Sequence, residues 1–434
     1  MKKTVWSAMG LALTMALGPM TAHAQTTTKP AALKIAIVTF FSSSGAVVGG
    51  PTADAAKMTI DEINHAGGIG GVPIEAQYID ESGGPTKNVA ELRSVAGNVA
   101  AVMGYASSAD CLAVAPVAEQ MSVLTILSDC DTNSLFEGHS YKWIFRTIPP
   151  ASSNAVAMAL YIAKMYPNIK DIAGLNPDYA FGRDEWKYFT EAMQKLRPGV
   201  TLGTALFPAL FSGDYTSELS RLASERPGLI YSSLWGGDVV AMIQQGVAQG
   251  VFSQGLVALA AGTQGDIQGM NALPDGVVVG AEHGYLMHPG KIANPEVAKF
   301  VEAYHTRFNS YPVSPYPFTI QRALLALRDG YQAALKKSNG AWPSSADVAQ
   351  AMEGLTVPTM LGDMTIQPDH QATYGEQVGV SVHTKEYPFA VLNKIVTFPA
   401  DQIMAPPGEK AEAWISKMTP AALDKMPEAH EYAP

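Results

Sequence analysis

Two short segments carry side chains that are suited to binding a carboxylate. Ser107 and Ser108 follow a predicted strand and begin a predicted helix. A hydroxyl together with the free backbone N–H groups of a helix start binds negatively charged groups. Thr132 and Asn133 have the same position after the next strand along the chain. In both segments the structural alternative is a helix cap or a turn cap, in which the hydroxyl serves only the local backbone.

The two segments belong to a regular alternation of strands and helices. Leu33–Val38 is an apolar run with the length and β-branching of a strand buried on both faces. Helical spacing begins at Thr52, behind Pro51 in the first turn, and Gly67-Gly68 are placed to end the helix in the left-handed conformation. Ile74–Asp80 is the next predicted strand. Repeated along the chain, this pattern predicts the α/β class, with mostly parallel sheets that are flanked by helices.

The alternation restarts after Pro149-Pro150, which predicts two similar lobes. Val277-Val278-Val279 is expected to return the chain to the first lobe. Ligands of open parallel sheets bind beyond the carboxyl ends of the strands, so we expect a pocket that closes between the lobes. The predicted division is lobe 1 at residues 31–147 and 279–360, lobe 2 at residues 148–278 and 361–400, and a Pro-rich C-terminal tail at residues 401–434.

The first residues have the features of a secretory signal peptide. Residues 1–24 contain Lys2-Lys3, an apolar stretch from Val5 to Leu17, and Ala22-His23-Ala24 as a cleavage site. No cysteine stands directly after the cleavage point, so we expect no lipid attachment, and no later segment has the length and apolarity of a transmembrane helix. The whole chain of 434 residues is long enough for two sizeable cores. The sequence therefore predicts a protein that is exported to a bacterial periplasm without direct membrane insertion.

The charge of the chain argues against one group of partners. Removal of residues 1–24 takes the formal net charge from −10 to −12, because that segment carries Lys2 and Lys3. An acidic surface without a basic run disfavours binding to nucleic acid and to anionic membranes.

The two cysteines of the chain are Cys111 and Cys130. In an oxidising compartment a pair of this kind is more typical of a disulfide than of a metal site, which needs more ligands. We therefore predict a Cys111–Cys130 bridge, provided that the two Cα atoms lie close enough together.

Signatures of enzymes are missing from the sequence. It has no Gly-x-Ser-x-Gly elbow, no His-Glu-x-x-His, no Walker loop and no helix-opening Gly-x-Gly-x-x-Gly. The nine histidines are scattered, and the spacing of His283 and His288 alone does not predict a metal site. We expect no catalytic residue, no metal and no cofactor.

One longer motif resembles a known family. Asp61-Glu-Ile-Asn-His-Ala-Gly-Gly-Ile-Gly-Gly71 follows Ala55-Ala56-Lys57 and precedes Ile79-Asp80-Glu81. At this distance behind a first strand, the motif resembles the periplasmic leucine/isoleucine/valine-binding proteins, which are the branched-chain amino-acid type of ABC transporter substrate-binding protein. The resemblance extends from about Leu33 to Gly375. It implies the type I periplasmic binding protein fold, in which two lobes are joined by a multi-strand hinge.

The resemblance also implies roles for individual residues. In the branched-chain amino-acid binders, a Ser after the third strand and a Thr after the fourth hold the ligand carboxylate, and Ser107 and Thr132 occupy those places. Aromatic side chains of the second lobe close over the ligand; Phe181 matches one of them and Trp235 falls within one residue of another. The predicted ligand-binding set is Ser107, Ser108, Cys130, Thr132, Phe181, Trp235 and Gln264.

Gln264 departs from the family pattern. Amino-acid binders place an acidic residue there to pair with the ligand ammonium, and an amide cannot neutralise a buried cation. Asp266, Asp238, Asp129 or Asp131 could take over that role. Otherwise the ligand is a carboxylate without an amine, such as an aromatic or aliphatic acid, or a neutral amide. A register error of one or two residues is the remaining alternative.

The expected function is transport without chemistry. The protein would capture a small carboxylate-bearing ligand by lobe closure, as a monomer, and present it to an inner-membrane ABC permease complex. Binding would select the closed state of the hinge. One alternative is a soluble sensor that presents its bound state to a membrane receptor. A secreted α/β enzyme is a less favoured alternative, because the enzyme motifs are absent.

Overall fold

The computed structural model describes residues 28–262 and 271–433. The predicted signal peptide and Gln264 therefore lie outside the described residues. The first part of the chain forms a parallel sheet whose strands are β1 (Leu33–Thr39), β2 (Ile74–Asp80), β3 (Ala101–Gly104), β4 (Thr125–Leu127) and β5 (Ile144–Arg146). The strand order is β2-β1-β3-β4-β5. The helices between these strands are α1 (Ala46–His65), α2 (Gly84–Val95) and α3 (Ser108–Met121).

Helix α1 begins at Ala46, so the predicted start at Thr52 was wrong. Pro51 lies inside the helix and not in its first turn. The physical reason is a close approach, because a Cβ atom on Gly49 would lie 1.4 Å from the carbonyl oxygen of Phe40. Glycine thus lets the first turns of α1 pack against the end of β1, where the small residues had indicated a loop.

The other end of α1 agrees with the prediction. Gly67 and Gly68 have φ angles of +100° and +71°. The Gly68 N–H donates to the carbonyl of Ile63, and the Gly67 N–H donates to that of Asn64. This pair of bonds is the Schellman arrangement, which satisfies carbonyl groups at the end of a helix.

The second sheet contains seven strands. They are β6 (Asp171–Leu175), β7 (Thr201–Leu206), β8 (Leu229–Ser232), β9 (Leu256–Leu259), β10 (Val278–Gly280), β14 (Glu376–Val382) and β15 (Val391–Phe398), in the order β15-β14-β10-β9-β8-β6-β7. The strands from β6 to β10 pair in parallel, whereas β14 and β15 run antiparallel to their neighbours. The associated helices are α4 (Ala151–Met165), α5 (Ala180–Leu196), α6 (Thr216–Glu225) and α7 (Gly237–Ala248).

The chain crosses between the two sheets three times. After β5 it enters the second sheet through α4 and β6, and it leaves again only after Gly280, because Val278–Gly280 is itself a strand of that sheet. It then forms α8 (Pro295–Phe308), α9 (Tyr316–Lys337) and α10 (Ser345–Met352), of which α9 packs along α1. A small antiparallel sheet of β11 (Thr356–Val357), β12 (Met364–Ile366) and β13 (Ala372–Thr373) follows before the return at β14. The exact lobe boundaries stay a prediction.

The C-terminal residues pack on the second sheet's helices. The short helices α11 (Ala400–Ile403) and α12 (Ala411–Ile415) contact α4 and α5 respectively, and Ile403 and Ile415 are fully buried. Near the end, His430 exchanges two backbone hydrogen bonds with Ile395 of β15. The ring of Tyr432 stacks on His288, 3.6 Å between centroids. The Pro-rich tail is thus part of the folded body.

Within the described residues, we find no helix that has both the length and the apolar character needed to cross a bilayer.

The structure joins Cys111 and Cys130 in a disulfide, with 6.2 Å between the Cα atoms. Cys111 lies in the first turn of α3 and Cys130 follows β4. The bridge therefore ties the start of a helix to the loop after the neighbouring strand, at the carboxyl edge of the first sheet.

We predict that the denatured, unreduced protein has no free thiol. Reduction should lower the free energy of unfolding by about 3 kcal/mol, because a closed loop of this length restricts the unfolded chain. Thiol titration and urea denaturation with and without reductant measure the two effects. A Cys111→Ser, Cys130→Ser double variant should match the reduced protein in stability, and two reactive thiols in the unreduced protein would rule the bridge out.

Candidate functional site

The carboxyl ends of the two sheets meet in a buried group of aromatic side chains, here called the aromatic junction: Phe40, Phe181, Trp235 and Tyr316, with Tyr179 and Phe211 against them. Phe40 follows β1 of the first sheet, and its ring centroid lies 5.6 Å from that of Phe211 and 5.8 Å from that of Trp235. The indole Nε1 of Trp235 donates to the hydroxyl of Tyr179 at 2.9 Å. Loops from both sheets therefore share one core.

The backbones of the two loops also touch. The Gly237 N–H, at the start of α7, donates to the carbonyl of Ser44 at 2.9 Å. A Cβ atom on Gly237 would approach that same carbonyl oxygen to 2.8 Å, which real side chains do not tolerate. A direct bond between the loop after β1 and the helix after β8 means that the structure has the two sheets in a closed arrangement.

Ser107 and Ser108 lie at the start of α3, as the sequence predicts, and both are buried. Their surroundings were not predicted. The N–H groups of Ala106 and Ser107 donate to the carboxylate of Glu81 at 2.9 and 2.8 Å. Burial and the charge of Asp110 raise the pKa of Glu81 well above its ordinary value, against the opposing effect of these bonds. The protein thus supplies its own carboxylate to the helix start.

Thr132 is in the same situation on the neighbouring loop. Its hydroxyl donates to Oδ2 of Asp184 at 2.6 Å, and the Asn133 N–H donates to the same oxygen at 3.0 Å. Asp184 belongs to α5 of the second sheet, so this carboxylate bridges the two sheets. Burial raises the pKa of Asp184, and the hydrogen bonds from Thr132 and Asn133 work in the opposite direction.

Three further buried carboxylates have oxygens without a hydrogen bond. Oδ1 of Asp129, Oδ1 of Asp131 and both carboxylate oxygens of Glu282 are buried without a hydrogen bond. We call these residues the carboxylate trio. The first two follow β4 and Glu282 follows β10. Sequence analysis named the two aspartates as substitutes for the missing acid at position 264, but it missed Glu282.

The buried cations around the trio are engaged mainly by backbone carbonyls. Nη1 of Arg146 donates to the carbonyls of Cys130, Asp131 and Thr132 at 2.9, 3.1 and 2.8 Å. Nη1 of Arg322 donates to the carbonyl of His283 at 2.6 Å. The Arg146 bonds hold the loop after β4 in place, and the Arg322 bond holds the segment after β10.

His283 lies between two acids. Its Nδ1 is 2.8 Å from Oε2 of Glu376, and its Nε2 is 3.7 Å from Oδ1 of Asp131. Burial raises the pKa of Asp131 to about 6, although the charges of His283 and Arg146 lower it. Burial also raises the pKa of Asp129 and of Glu282 well above the ordinary range.

The structure brings together most of the predicted site. Phe181 and Trp235 belong to the aromatic junction, and Ser107, Ser108 and Thr132 lie on the facing loops. Cys130 is fully buried in its disulfide and contributes its carbonyl to Arg146. Asp238 accepts a hydrogen bond from the Phe211 N–H at 2.6 Å. The ligand-binding roles of these residues remain predictions.

In the part of the chain that the structure describes, no group of three or more His, Cys, Asp or Glu side chains is arranged to hold a metal ion.

Comparison with known proteins identifies the family. A family model described as periplasmic binding protein matches residues 32–378. The match covers most of the chain, and the protein belongs to this family. The predicted family and the α/β fold of type I periplasmic binding proteins are thereby confirmed.

Named relatives are distant but extend along most of the chain. The chain is 23% identical over 348 residues to Leu/Ile/Val-binding protein homolog 3 of Brucella melitensis, covering 77% of this chain and 86% of the relative. It is 23% identical over 342 residues to the Leu/Ile/Val-binding protein of Escherichia coli, with the same two coverages.

Solved structures show the same fold. A solute binding protein of an ABC transporter from Rhodopseudomonas palustris BisB5, in complex with 3,4-dihydroxy benzoic acid, superposes with a TM-score of 0.73 at 21% identity, covering 87% of this chain and 99% of that one. A leucine binding protein from Thermotoga maritima superposes with a TM-score of 0.68 at 19% identity, covering 85% of this chain and 99% of that one.

We predict that Asp184→Ala shifts the ligand-free protein toward an open arrangement. The substitution leaves the Thr132 hydroxyl and the Asn133 N–H without the carboxylate that bridges the sheets, and hydrogen bonds to charged groups contribute about 1.5–3 kcal/mol each. Solution scattering should show a larger radius of gyration. Asp178→Ala is the control, because Asp178 is an exposed acid paired with Arg183. Equal radii for the two variants would contradict a bridging role.

We also predict that the ligand-free protein becomes more stable as the pH falls from 7.5 to 5.5. The pKa of Asp131 is raised to about 6, so the folded state binds a proton that the unfolded state does not hold until about pH 4. This contribution is complete below the unfolded pKa and is lost as the pH rises through 6. Urea denaturation across this range measures the slope, and Asp131→Asn should flatten it. An unchanged slope in that variant would assign the dependence to other groups.

Proposed function

We propose that the protein is the solute-binding component of an ABC importer and closes around a small carboxylate-bearing ligand between its two sheets. Proteins of this family bind small molecules and work with membrane permeases. The observation that carries the proposal is the aromatic junction, where loops at the carboxyl ends of both sheets enclose polar groups. This edge is where open α/β sheets bind their ligands.

The Asp184 bridge indicates how a ligand carboxylate would be held. Thr132 and Asn133 already direct a hydroxyl and an N–H at one carboxylate oxygen. A ligand carboxylate that displaced Asp184 would accept the same two bonds. Phe181 and Trp235, each almost completely buried in the junction, would enclose the apolar part of the ligand. Solved relatives are in complex with 3,4-dihydroxy benzoic acid and with benzoate, and another relative is a Leu/Ile/Val-binding protein homolog, so both classes are candidates.

The proposal includes a location and partners. Residues 1–24 would direct export to the periplasm and be removed there. A monomer would then deliver its ligand to an inner-membrane permease complex, and no bond of the ligand would be made or broken. Binding and release would follow from the different affinities of the open and closed states.

Identification of the bound compound is the first test. The compound that co-purifies with the protein should be released by denaturation and identified by mass spectrometry. Titration calorimetry with leucine, isoleucine, valine, benzoate and 3,4-dihydroxybenzoate then ranks the two classes. A ligand at about one hundred times its dissociation constant should raise the free energy of unfolding by about 2.7 kcal/mol and reduce the radius of gyration. Stabilisation at an unchanged radius would contradict closure.

Thr132→Val should weaken binding of the best ligand of that set by about 10- to 100-fold. The expected factor corresponds to the loss of one hydrogen bond to a charged group. Ser134→Ala is the control, because Ser134 is an exposed neighbour. Equal affinities of the two variants would show that the Thr132 hydroxyl does not contribute to ligand binding.

A further inference from the structure

A cavity of about 640 Å³ lies beside the crossing between the two sheets. This volume is within the range of sites that bind small molecules. One wall is the loop after β4, with Phe136 and Glu137, and another wall consists of C-terminal residues between Ala400 and Ala411. The family model ends at residue 378, so the C-terminal wall lies outside the region that the model matches.

The cavity is separate from the site between the sheets. Among the described residues, neither Thr132 nor any member of the aromatic junction lines it. Asn133 is the boundary between the two places. Its backbone N–H donates to Asp184 at 3.0 Å, whereas its side-chain amide donates to Glu137 at 3.2 Å and to Ser152 at 2.9 Å, both of which line the cavity. A compound in the cavity therefore leaves the Asp184 bridge in place.

The walls of the cavity combine apolar and charged side chains. Phe136, Met404, Pro406 and Pro407 supply apolar surface from two opposite walls. Such surface suits a ligand with an apolar body. The lining side chains that are charged at neutral pH are Glu137, Asp369, Asp401, Glu409 and Lys410.

The protein's own cations compensate these four acids only in part. Glu409 is paired with Lys417 outside the cavity, and the charge of Arg146 acts on Glu137 and Asp369. In the part of the chain that the structure describes, the Asp401 side chain has neither a hydrogen bond nor an ion pair. With Lys410 as the one lining ammonium, the walls retain an excess of negative charge, which attracts a cation and repels an anion.

The walls belong to different lobes. The C-terminal wall is fixed to the second sheet, because α11 and α12 pack on α4 and α5 and Glu412 pairs with Lys187 of α5 at 2.7 Å. The loop after β4 belongs to the first sheet, and Oε1 of Glu137 accepts from the Ala411 N–H across the gap at 2.9 Å. Opening of the sheets would separate the walls, so a compound that contacts both of them stabilises the closed arrangement.

We propose that this cavity is a second binding site, for a small organic cation with an apolar body, and that its occupation favours the closed arrangement. The inference goes beyond the proposed function, because it requires no ligand between the sheets. Its C-terminal wall also gives residues 400–411 a role that the family match does not supply.

Three probes with the same indole-ethyl skeleton test the ligand class. Tryptamine carries an ammonium group, tryptophol a neutral hydroxyl and indole-3-propionate a carboxylate. We expect tryptamine to raise the melting temperature and to bind saturably in titration calorimetry, and the other two to bind about 10-fold more weakly. Equal binding of the three, stronger binding of indole-3-propionate or no binding of tryptamine overturns the inference, and none of these outcomes affects the proposed function.

Glu137→Gln tests the charge of the wall. Glutamine can still accept from the Ala411 N–H, so the substitution removes the charge and keeps the contact. It should weaken tryptamine binding about 5-fold, the size of one partly exposed ion pair. Glu119→Gln is the matched control, because Glu119 is also a half-buried acid that accepts from backbone N–H groups, at Lys142 and Trp143, and it does not line the cavity. Equal weakening by both variants, or by neither, overturns the assignment.

Ala405→Phe tests the cavity itself. A larger side chain on the C-terminal wall should fill part of the space and weaken tryptamine binding about 10-fold or more. Ala413→Phe is the control, because Ala413 is an exposed residue of α12 outside the lining. Both variants should keep the melting temperature of the ligand-free parent protein. Undiminished tryptamine binding by Ala405→Phe would place the compound elsewhere and overturn the inference.

Solution scattering tests the effect on closure. Saturating tryptamine should reduce the radius of gyration of the otherwise ligand-free protein, because the bound compound holds the two walls together. Tryptophol at the same concentration should leave the radius unchanged. A radius that does not respond to saturating tryptamine would overturn the link between this cavity and closure.

Discussion

Parallel strands bring all of their carboxyl ends to one edge of a sheet, and in this protein two such edges face each other. The loops after β1 and β4 meet those that begin α5 and α7. Each loop must satisfy its own backbone while it presents polar groups to the other sheet. The Asp184 bridge, the Gly237–Ser44 bond and the packing of Phe40 against Trp235 all result from this arrangement.

The electrostatics of the junction follow from the same constraint. Helix starts that face inward are electropositive, and here Glu81 and Asp184 occupy the N–H groups and the hydroxyl that a ligand carboxylate would use. Further carboxylates from the loops after β4 and β10 are then left without donors. The result is a buried region with an excess of acidic groups, in which burial raises the pKa of the carboxyl groups.

Local patterns were sufficient for most of the fold. Strand β1 is apolar and almost completely buried, and the buried residues of helix α8 have regular helical spacing. The positions of both can therefore be predicted from the residues alone. The start of α1 could not be predicted in this way, because it depends on how closely Gly49 approaches Phe40. Ser107, Thr132, Phe181 and Trp235 follow from the strand ends and from the family motif.

The part of the site that sequence missed is non-local. Glu282 has a left-handed backbone conformation, with φ of +48°, in a segment without a motif. It follows β10 and lies about 150 residues after Asp129 and Asp131, whose charges help burial to raise its pKa. Likewise, the hydrogen bond from the Ser107 N–H to Glu81 depends on how β2 is aligned with the loop after β3. The spacing of residues in the sequence does not predict contacts between such distant parts of the chain.

The C-terminal residues add a mechanical element to the hinge. His430 pairs with Ile395 of the second sheet, while two residues later Tyr432 stacks on His288, in the segment by which the chain leaves that sheet. A rotation of the lobes about that segment must either carry the terminus along or break the stacked rings. The last residues therefore link the second sheet to the segment by which the chain leaves it, and the stacked rings belong to the closed arrangement.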